Sequence, residues 1–278
     1  MKILITGGKG FIAKGLVEGL KHQVMAFDKE ELDLLKPDKV FDCLKDNHFD
    51  AVVHTAVYDT AAKHSTKDPT MVLENNIRMF FNLLRGRKYF GKLIFFGSGA
   101  EYSREHLMPK MKETYFDHYV PNDQYGFSRY IATKYAIGNI YNLRLFSVFG
   151  KDDDWQTRFI PNACCRAVMD LPIRIEQNRL VDFLWLGDLA AIVDWFITHQ
   201  PKHNVYNVCS GKVIDRLTIA KKIITISGKD LAIKTAKEGF DQEYSGDNSL
   251  LMKELNFKFS PFNDKLKELY HWYERKKS

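Results

Sequence analysis

This chain of 278 residues is short of several things. It has no run of eighteen apolar residues, the length a membrane-spanning helix needs, so no membrane span is expected. Its four cysteines, Cys43, Cys164, Cys165 and Cys209, show neither C-x-x-C spacing nor a metal-type grouping with histidine. A disulfide framework or a zinc site is therefore disfavoured, and reduced thiols in a cytoplasmic protein are expected. A signal segment is not expected either, because Met1 leads straight into an apolar strand. Charge of one sign is sparse: the net charge is +6, and basic runs are confined to places such as Arg85-Gly86-Arg87-Lys88 and Glu274-Arg275-Lys276-Lys277. These read as solvated surface rather than a nucleic-acid face, and the mild bias suits a small anionic substrate. Asp152-Asp153-Asp154 reads as a loop, since a magnesium site needs spatial convergence that adjacency in sequence does not give. No metal is expected.

What is present begins at the first strand. Ile3-Leu4-Ile5 is a short apolar run, as in a strand buried on both faces. Gly7, Gly8 and Gly10 follow, then apolar residues at helical spacing (Phe11, Ile12, Leu16, Val17, Leu20). A strand that turns through glycines into a helix gathers free N–H groups and a helix dipole at one place, which suits a phosphate. The spacing Gly7-x-x-Gly10-x-x-Ala13 is not the G-x-G-x-x-G fingerprint, so a plain turn is the competing reading. Position favours a dinucleotide site. A second strand, Gln23 to Phe27, ends at Asp28, roughly the twenty residues on at which an acid meets an adenosine ribose. A carboxylate there favours NAD over NADP, although the neighbouring Lys29 weakens the preference.

Helices over about 40–45, 71–84 and 124–135 alternate with strands at Asp50 to Ala56 and Lys92 to Ser98. That rhythm predicts an α/β fold with a Rossmann-type doubly wound parallel sheet. Gly7, Asp28, Ala56 and Ser98 all fall at carboxyl ends of strands, where such sheets bind ligands. On the third helix, Tyr125 and Arg129 are one turn apart and share a face. A cation beside a phenol stabilises the phenolate, and a tyrosine so placed can work as acid or base. A surface tyrosine stacked near an arginine is the plainer alternative.

Several stretches together resemble the extended short-chain dehydrogenases/reductases of the nucleotide-sugar epimerase/dehydratase/reductase kind. They are Thr6 to Ile12, His54-Thr55-Ala56, Asn75-Asn76, Ser98 to Tyr102, Pro121 to Arg129, Asn142 to Gly150, Phe159 to Asn162, Asp182 to Leu189 and Val205 to Gly211. They follow in the family's order and cover most of residues 1–220. The resemblance implies Tyr125 as general acid/base, Ser98 in the same proton network, and hydride exchange with a nicotinamide. It implies cofactor contacts at Gly7, Gly8, Lys9, Gly10, Phe11, Ile12, Asp28, Ala56, Asn76 and Arg129, a nucleotide-sugar substrate, and a homodimer through paired helices. Candidate substrate contacts are Ser98, Glu101, Asn162 and Arg179, with Glu101 read first as structural.

Two departures from the family pattern stand out. Arg129 occupies the place of the usual lysine, and Arg for Lys is not neutral at such a site. It keeps alive a dinucleotide-binding protein with weak or no catalysis. A second pair, Tyr130 and Lys134, lies five residues on, about 140° round the helix, so both cannot face one site; Pro121 and Gly126-x-Ser128 align Tyr125 with the family. The acid pair that dehydratases carry after the catalytic Ser/Thr is replaced by Gly99-Ala100, which leaves a 4-epimerase or a 4-keto reductase. A reductase of another carbonyl substrate, such as a lipid or flavonoid, is a third reading. Residues 1–150, with 181–200 returning, are expected to form the NAD(P)-binding domain. Residues 151–180 and 201–278 are expected to form the smaller α/β substrate domain, with Arg179 as a phosphate contact and a packed terminal helix.

Overall fold

The computed structural model describes residues 1–60 and 65–277. The large sheet begins with β1 (Lys2–Thr6), α1 (Phe11–Gly19), β2 (Gln23–Phe27), α2 (Pro37–Asn47) and β3 (Phe49–His54). It continues with α3 (Val72–Arg85), β4 (Phe90–Ser98), α4 (Gln124–Lys134) and β5 (Ile140–Leu145). Next come β6 (Ser147–Phe149), α5 (Phe159–Val168), β7 (Ile173–Trp185), α6 (Leu186–Thr198) and β8 (Val205–Val208). The chain closes with β9 (Val213–Asp215), α7 (Arg216–Ser227), β10 (Ile233–Tyr244), α8 (Ser249–Glu254) and α9 (Phe262–Lys277).

Six parallel strands stand in the order β2-β1-β3-β4-β5-β8. The chain leaves β1 in one direction for β2 and returns on the other side for β3. The order therefore reverses between β1 and β3, the crevice where doubly wound sheets take ligands. Apolar residues cover both faces. On one, α1 and α6 pack closely: a Cβ on Gly19 would lie 2.6 Å from that of Ala190. On the other, Val40, Leu44, Phe80 and Leu83 of α2 and α3 close over Leu4, Val52 and Phe95.

The smaller sheet has the order β10-β7-β6, with β9 antiparallel to β7. It packs on α5, α7 and α9 through Cys164, Ile219 and Leu269. The expected domain limits need correction. β8 pairs with β5 in the large sheet, and Leu251 and Leu255, at the end of α8, join the large core, so parts of 201–278 do not belong with the small lobe. β6, inside 1–150, pairs with β7 in the small sheet. The physical reason is coverage: without β8 the edge of β5, buried along its whole length, would meet water. The chain crosses between the lobes more often than those limits allow.

Candidate active site

The first wall of the site is the glycine turn. Gly7 takes φ +75°, and a Cβ there would sit 2.8 Å from the Ala56 Cα. Gly8 donates its N–H to the Phe27 carbonyl (2.9 Å), and Gly10 donates to Gly7 (2.8 Å). The turn therefore lies flat against the ends of β2 and β3, and a side chain at position 7 would collide with Ala56 just past β3. α1 starts behind it with no side-chain cap and no acid in its first turn. Phe11 and Ile12 line the cavity beyond.

At the end of β2, Asp28 accepts hydrogen bonds from the backbone N–H groups of Glu30 (2.7 Å) and Glu31 (3.3 Å). Lys9 reaches across from the glycine turn to its other oxygen at 2.6 Å and also meets Glu30. The lysine and the two N–H groups hold the carboxyl below its usual range. Asn76 spends its amide on Tyr58, through N–H and carbonyl, and on the Val72 carbonyl. It latches the segment after β3 to α3 and has little left for a ligand.

His54 ends β3 opposite Thr6, and its Nδ1 lies 2.8 Å from the Thr6 hydroxyl. Burial pushes its pKa down to about 3, with the Arg129 charge adding to the effect. The imidazole is therefore neutral at ordinary pH.

Ser98 ends β4. Its Oγ accepts from the Ala100 N–H at 3.2 Å, and its backbone N–H donates to Glu101. Tyr125, in the first turn of α4, and Arg129 line the same cavity, about 460 Å³ in volume. The Arg129 guanidinium lies 5.3 Å from the Tyr125 ring centre. The arginine is 5% exposed and its Nε has no partner among the described residues. A buried, open cation aimed at a phenol is a vacancy for an acceptor, because an unpaired buried donor is costly. Tyr130 is turned the other way: its hydroxyl donates to Asp117, which also pairs with Lys134.

Glu101 is not a substrate contact. It is fully buried, pairs with Arg144 at 2.8 Å, and accepts from Ser98 N–H and the Thr133 hydroxyl. Asn162 lies on α5 and donates to the Trp155 carbonyl, so it ties down the loop before its helix rather than facing the cavity. Asp154 likewise caps its own loop through Gln156 N–H. Arg179 does reach the cavity, on the same side of β7 as Val181. It donates to the Gln242 carbonyl and lies 3.6 Å from Asp241.

Two lining residues have no signal in the sequence. Arg216 opens α7, donates to the Gln177 carbonyl at 3.2 Å, and leaves its Nε unpartnered. Burial, and then the charge of Arg179, lower its pKa. Asp241, paired with Arg179, offsets part of the charge that the two guanidinium groups bring to this cavity wall. Tyr244, at the end of β10, places its hydroxyl 3.5 Å from Ser98 Oγ. Neither lies in a motif; each arrives through the topology of the small sheet.

The model of the NAD dependent epimerase/dehydratase family matches residues 3–209. GDP-6-deoxy-D-mannose reductase of Pseudomonas aeruginosa is 26% identical over 235 residues, 76% of this chain and 75% of that protein. GDP-6-deoxy-D-talose 4-dehydrogenase of Aggregatibacter actinomycetemcomitans is 25% identical over 299 residues, 97% of each. Among solved structures, UDP-glucose 4-epimerase of Thermotoga maritima with UDP-glucose superposes with a TM-score of 0.84 at 21% identity, covering 100% of both chains. The GDP-mannoheptose C4 reductase of Campylobacter jejuni with NADP bound gives 0.84 at 20% identity, over 98% of each. At these identities the solved structures speak for the fold alone.

Proposed function

The chain belongs to the NAD-dependent epimerase/dehydratase family, and on that premise we propose that it is an NAD(P)-dependent enzyme acting on a nucleotide-activated sugar, as a 4-epimerase or a 4-keto reductase. One observation carries the reading: Ser98, Tyr125 and Arg129, whose Nε has no partner among the described residues, share a cavity with Arg179 and Arg216. The curated relatives named above act on nucleotide sugars by their names, which supports the same substrate class.

In this reading the glycine turn, Asp28 and Arg129 hold the dinucleotide, which supplies or takes the hydride when bound. The tight glycine turn and the Arg129 Nε, orphaned among the described residues, fit such a group. Tyr125 gives or takes the proton on the sugar oxygen, and Ser98 orients that oxygen. Arg129 sets a fixed positive charge beside the phenolate that forms. Arg179 and Arg216 hold the diphosphate. Asp28 favours NAD. Lys9, already on Asp28, offsets its charge and lets NADP be accepted.

We place the enzyme in the cytoplasm as a homodimer. Among the described residues no helix is long and apolar enough to cross a membrane. The exposed Tyr135 and Ile137, beside Phe81 of α3, offer a dimer face. Arg129 in the lysine place supports a second reading, a dinucleotide-binding protein with little turnover.

The test is mass spectrometry of any co-purifying nucleotide, followed by turnover of a nucleotide-sugar panel. Tyr125→Phe is expected to lower turnover about a thousandfold and to leave cofactor affinity intact. Turnover retained in that variant rules out the assigned role, and wild-type binding without turnover favours the second reading.

A further inference from the structure

β10 is exposed along nearly its whole length, yet its last residue turns inward. The Tyr244 ring is seated between Phe146, with centres 5.3 Å apart, and the Arg179 guanidinium, 5.3 Å from its centre. Gly99 makes room for it: a Cβ at that position would lie 2.8 Å from the Tyr244 hydroxyl. The phenol is thus fixed beside Ser98 in the cavity wall. Burial raises its pKa, so it remains a protonated donor.

The separation of the two hydroxyls carries the argument. Oxygen atoms joined by a good hydrogen bond stand about 2.7–2.8 Å apart, whereas Ser98 Oγ and the Tyr244 oxygen stand 3.5 Å apart. The Tyr244 hydroxyl has no other hydrogen-bond partner among the described residues. Ser98 Oγ already accepts from Ala100 N–H, so its own proton is free to be donated. Two donors at this spacing are too far apart to satisfy each other well. A third oxygen, touching both, satisfies them together.

We propose that Tyr244 is a substrate-contacting residue which, together with Ser98, donates to a single hydroxyl or carbonyl oxygen of the sugar. The proposal rests on the nucleotide-sugar reading and adds to it a contact supplied by the small lobe. Binding of sugar would then draw β10 and β4 onto the same atom.

Tyr244→Phe removes the hydroxyl and keeps the ring, so a tyrosine that merely forms the wall is left unchanged by it. The experiment measures KM and kcat on UDP-glucose, GDP-mannose and dTDP-4-dehydro-6-deoxyglucose with NAD(H) and NADP(H), and binding of the same sugars by calorimetry. The thermal shift produced by the dinucleotide alone serves as the control that the fold and the cofactor turn are intact. Tyr244→Phe is expected to weaken sugar binding about tenfold with the dinucleotide shift unchanged. In a Ser98→Ala background the same change is expected to cost clearly less, because the shared oxygen has already lost one donor. Wild-type sugar binding that Tyr244→Phe leaves untouched, or losses that add in full, overturn the proposal alone. A wild-type protein that neither binds nor converts any of the sugars overturns the nucleotide-sugar reading and this contact with it.

Discussion

Two arginines stand deep in the large lobe, and they are used differently. Arg144, on β5, is fully buried and its charge is met: Nε donates to Glu101 at 2.8 Å and Nη1 to the Tyr102 hydroxyl at 2.6 Å. Tyr102 in turn donates to Asn207, on β8. Arg129, on α4, is almost as deep, but its Nε meets nothing among the described residues and its face is turned to the cavity beside Tyr125. The first belongs to a carboxylate-paired network that joins β4, β5 and β8 behind Ser98, with its Nη2 unmet among the described residues. The second is a charge at the cavity wall with its Nε unmet among the described residues. Burial alone does not separate a structural arginine from a functional one. A carboxylate partner does: Glu101 pairs with Arg144, while Arg129 lines the cavity with no carboxylate paired to it among the described residues.

The largest expected effect comes from breaking the carboxylate-paired network. Glu101→Ala leaves Arg144 buried without its carboxylate and is expected to cost about 3–5 kcal/mol of folding stability, read as a fall in the urea midpoint. A loss within about 0.5 kcal/mol would mean that the network is not what holds this region. Arg129 should behave in the opposite way. Arg129→Met removes an uncompensated charge, so the unliganded protein is expected to melt within about 2 °C of wild type. The thermal shift on adding NADH or NADPH is expected to collapse. Arg129→Lys restores the charge at a smaller size and is expected to keep turnover within about tenfold. A hundredfold fall, about 3 kcal/mol, would show a site adapted to the guanidinium.

The smallest effect is electrostatic and belongs to His54. Its pKa of about 3 in the fold lies below the ordinary 6.5. As pH falls, the unfolded chain takes up the proton first, so stability from this group is complete above about pH 6.5 and is lost progressively toward pH 3. Between pH 6.5 and 5.5 the loss is about 1 kcal/mol. It should appear as the difference between wild type and His54→Gln, which cancels carboxyls titrating in the same range, Asp153 among them. Identical slopes in the two proteins would show that His54 is not buried neutral.

The alternation of strands and helices, the glycine turn, and the opposed faces of Tyr125 and Tyr130 were all legible in the sequence, because each depends on neighbours a few residues away. A buried parallel strand must be an apolar run, and a helix face repeats every three or four positions. Those rules placed Gly7, Asp28, Ser98 and Tyr125 at strand ends or on one helix face before any coordinates. Glu101 was harder: its spacing after Ser98 admitted both a structural and a substrate role, and only the position of Arg144 on β5, forty-odd residues on, decided between them.

The local sequence determined which segments become strands and helices, and that a glycine turn joins the first strand to the first helix. Tertiary packing alone decided that β8 seals the large sheet, that Asn162 faces its own loop, and that Arg216 and Tyr244 enter the cavity with Arg179. The reason is distance along the chain. Periodicity reports which side of an element is buried, but not which distant element covers it, and the far wall of this site is built from strand ends and a helix start that meet only when the small sheet closes over β4.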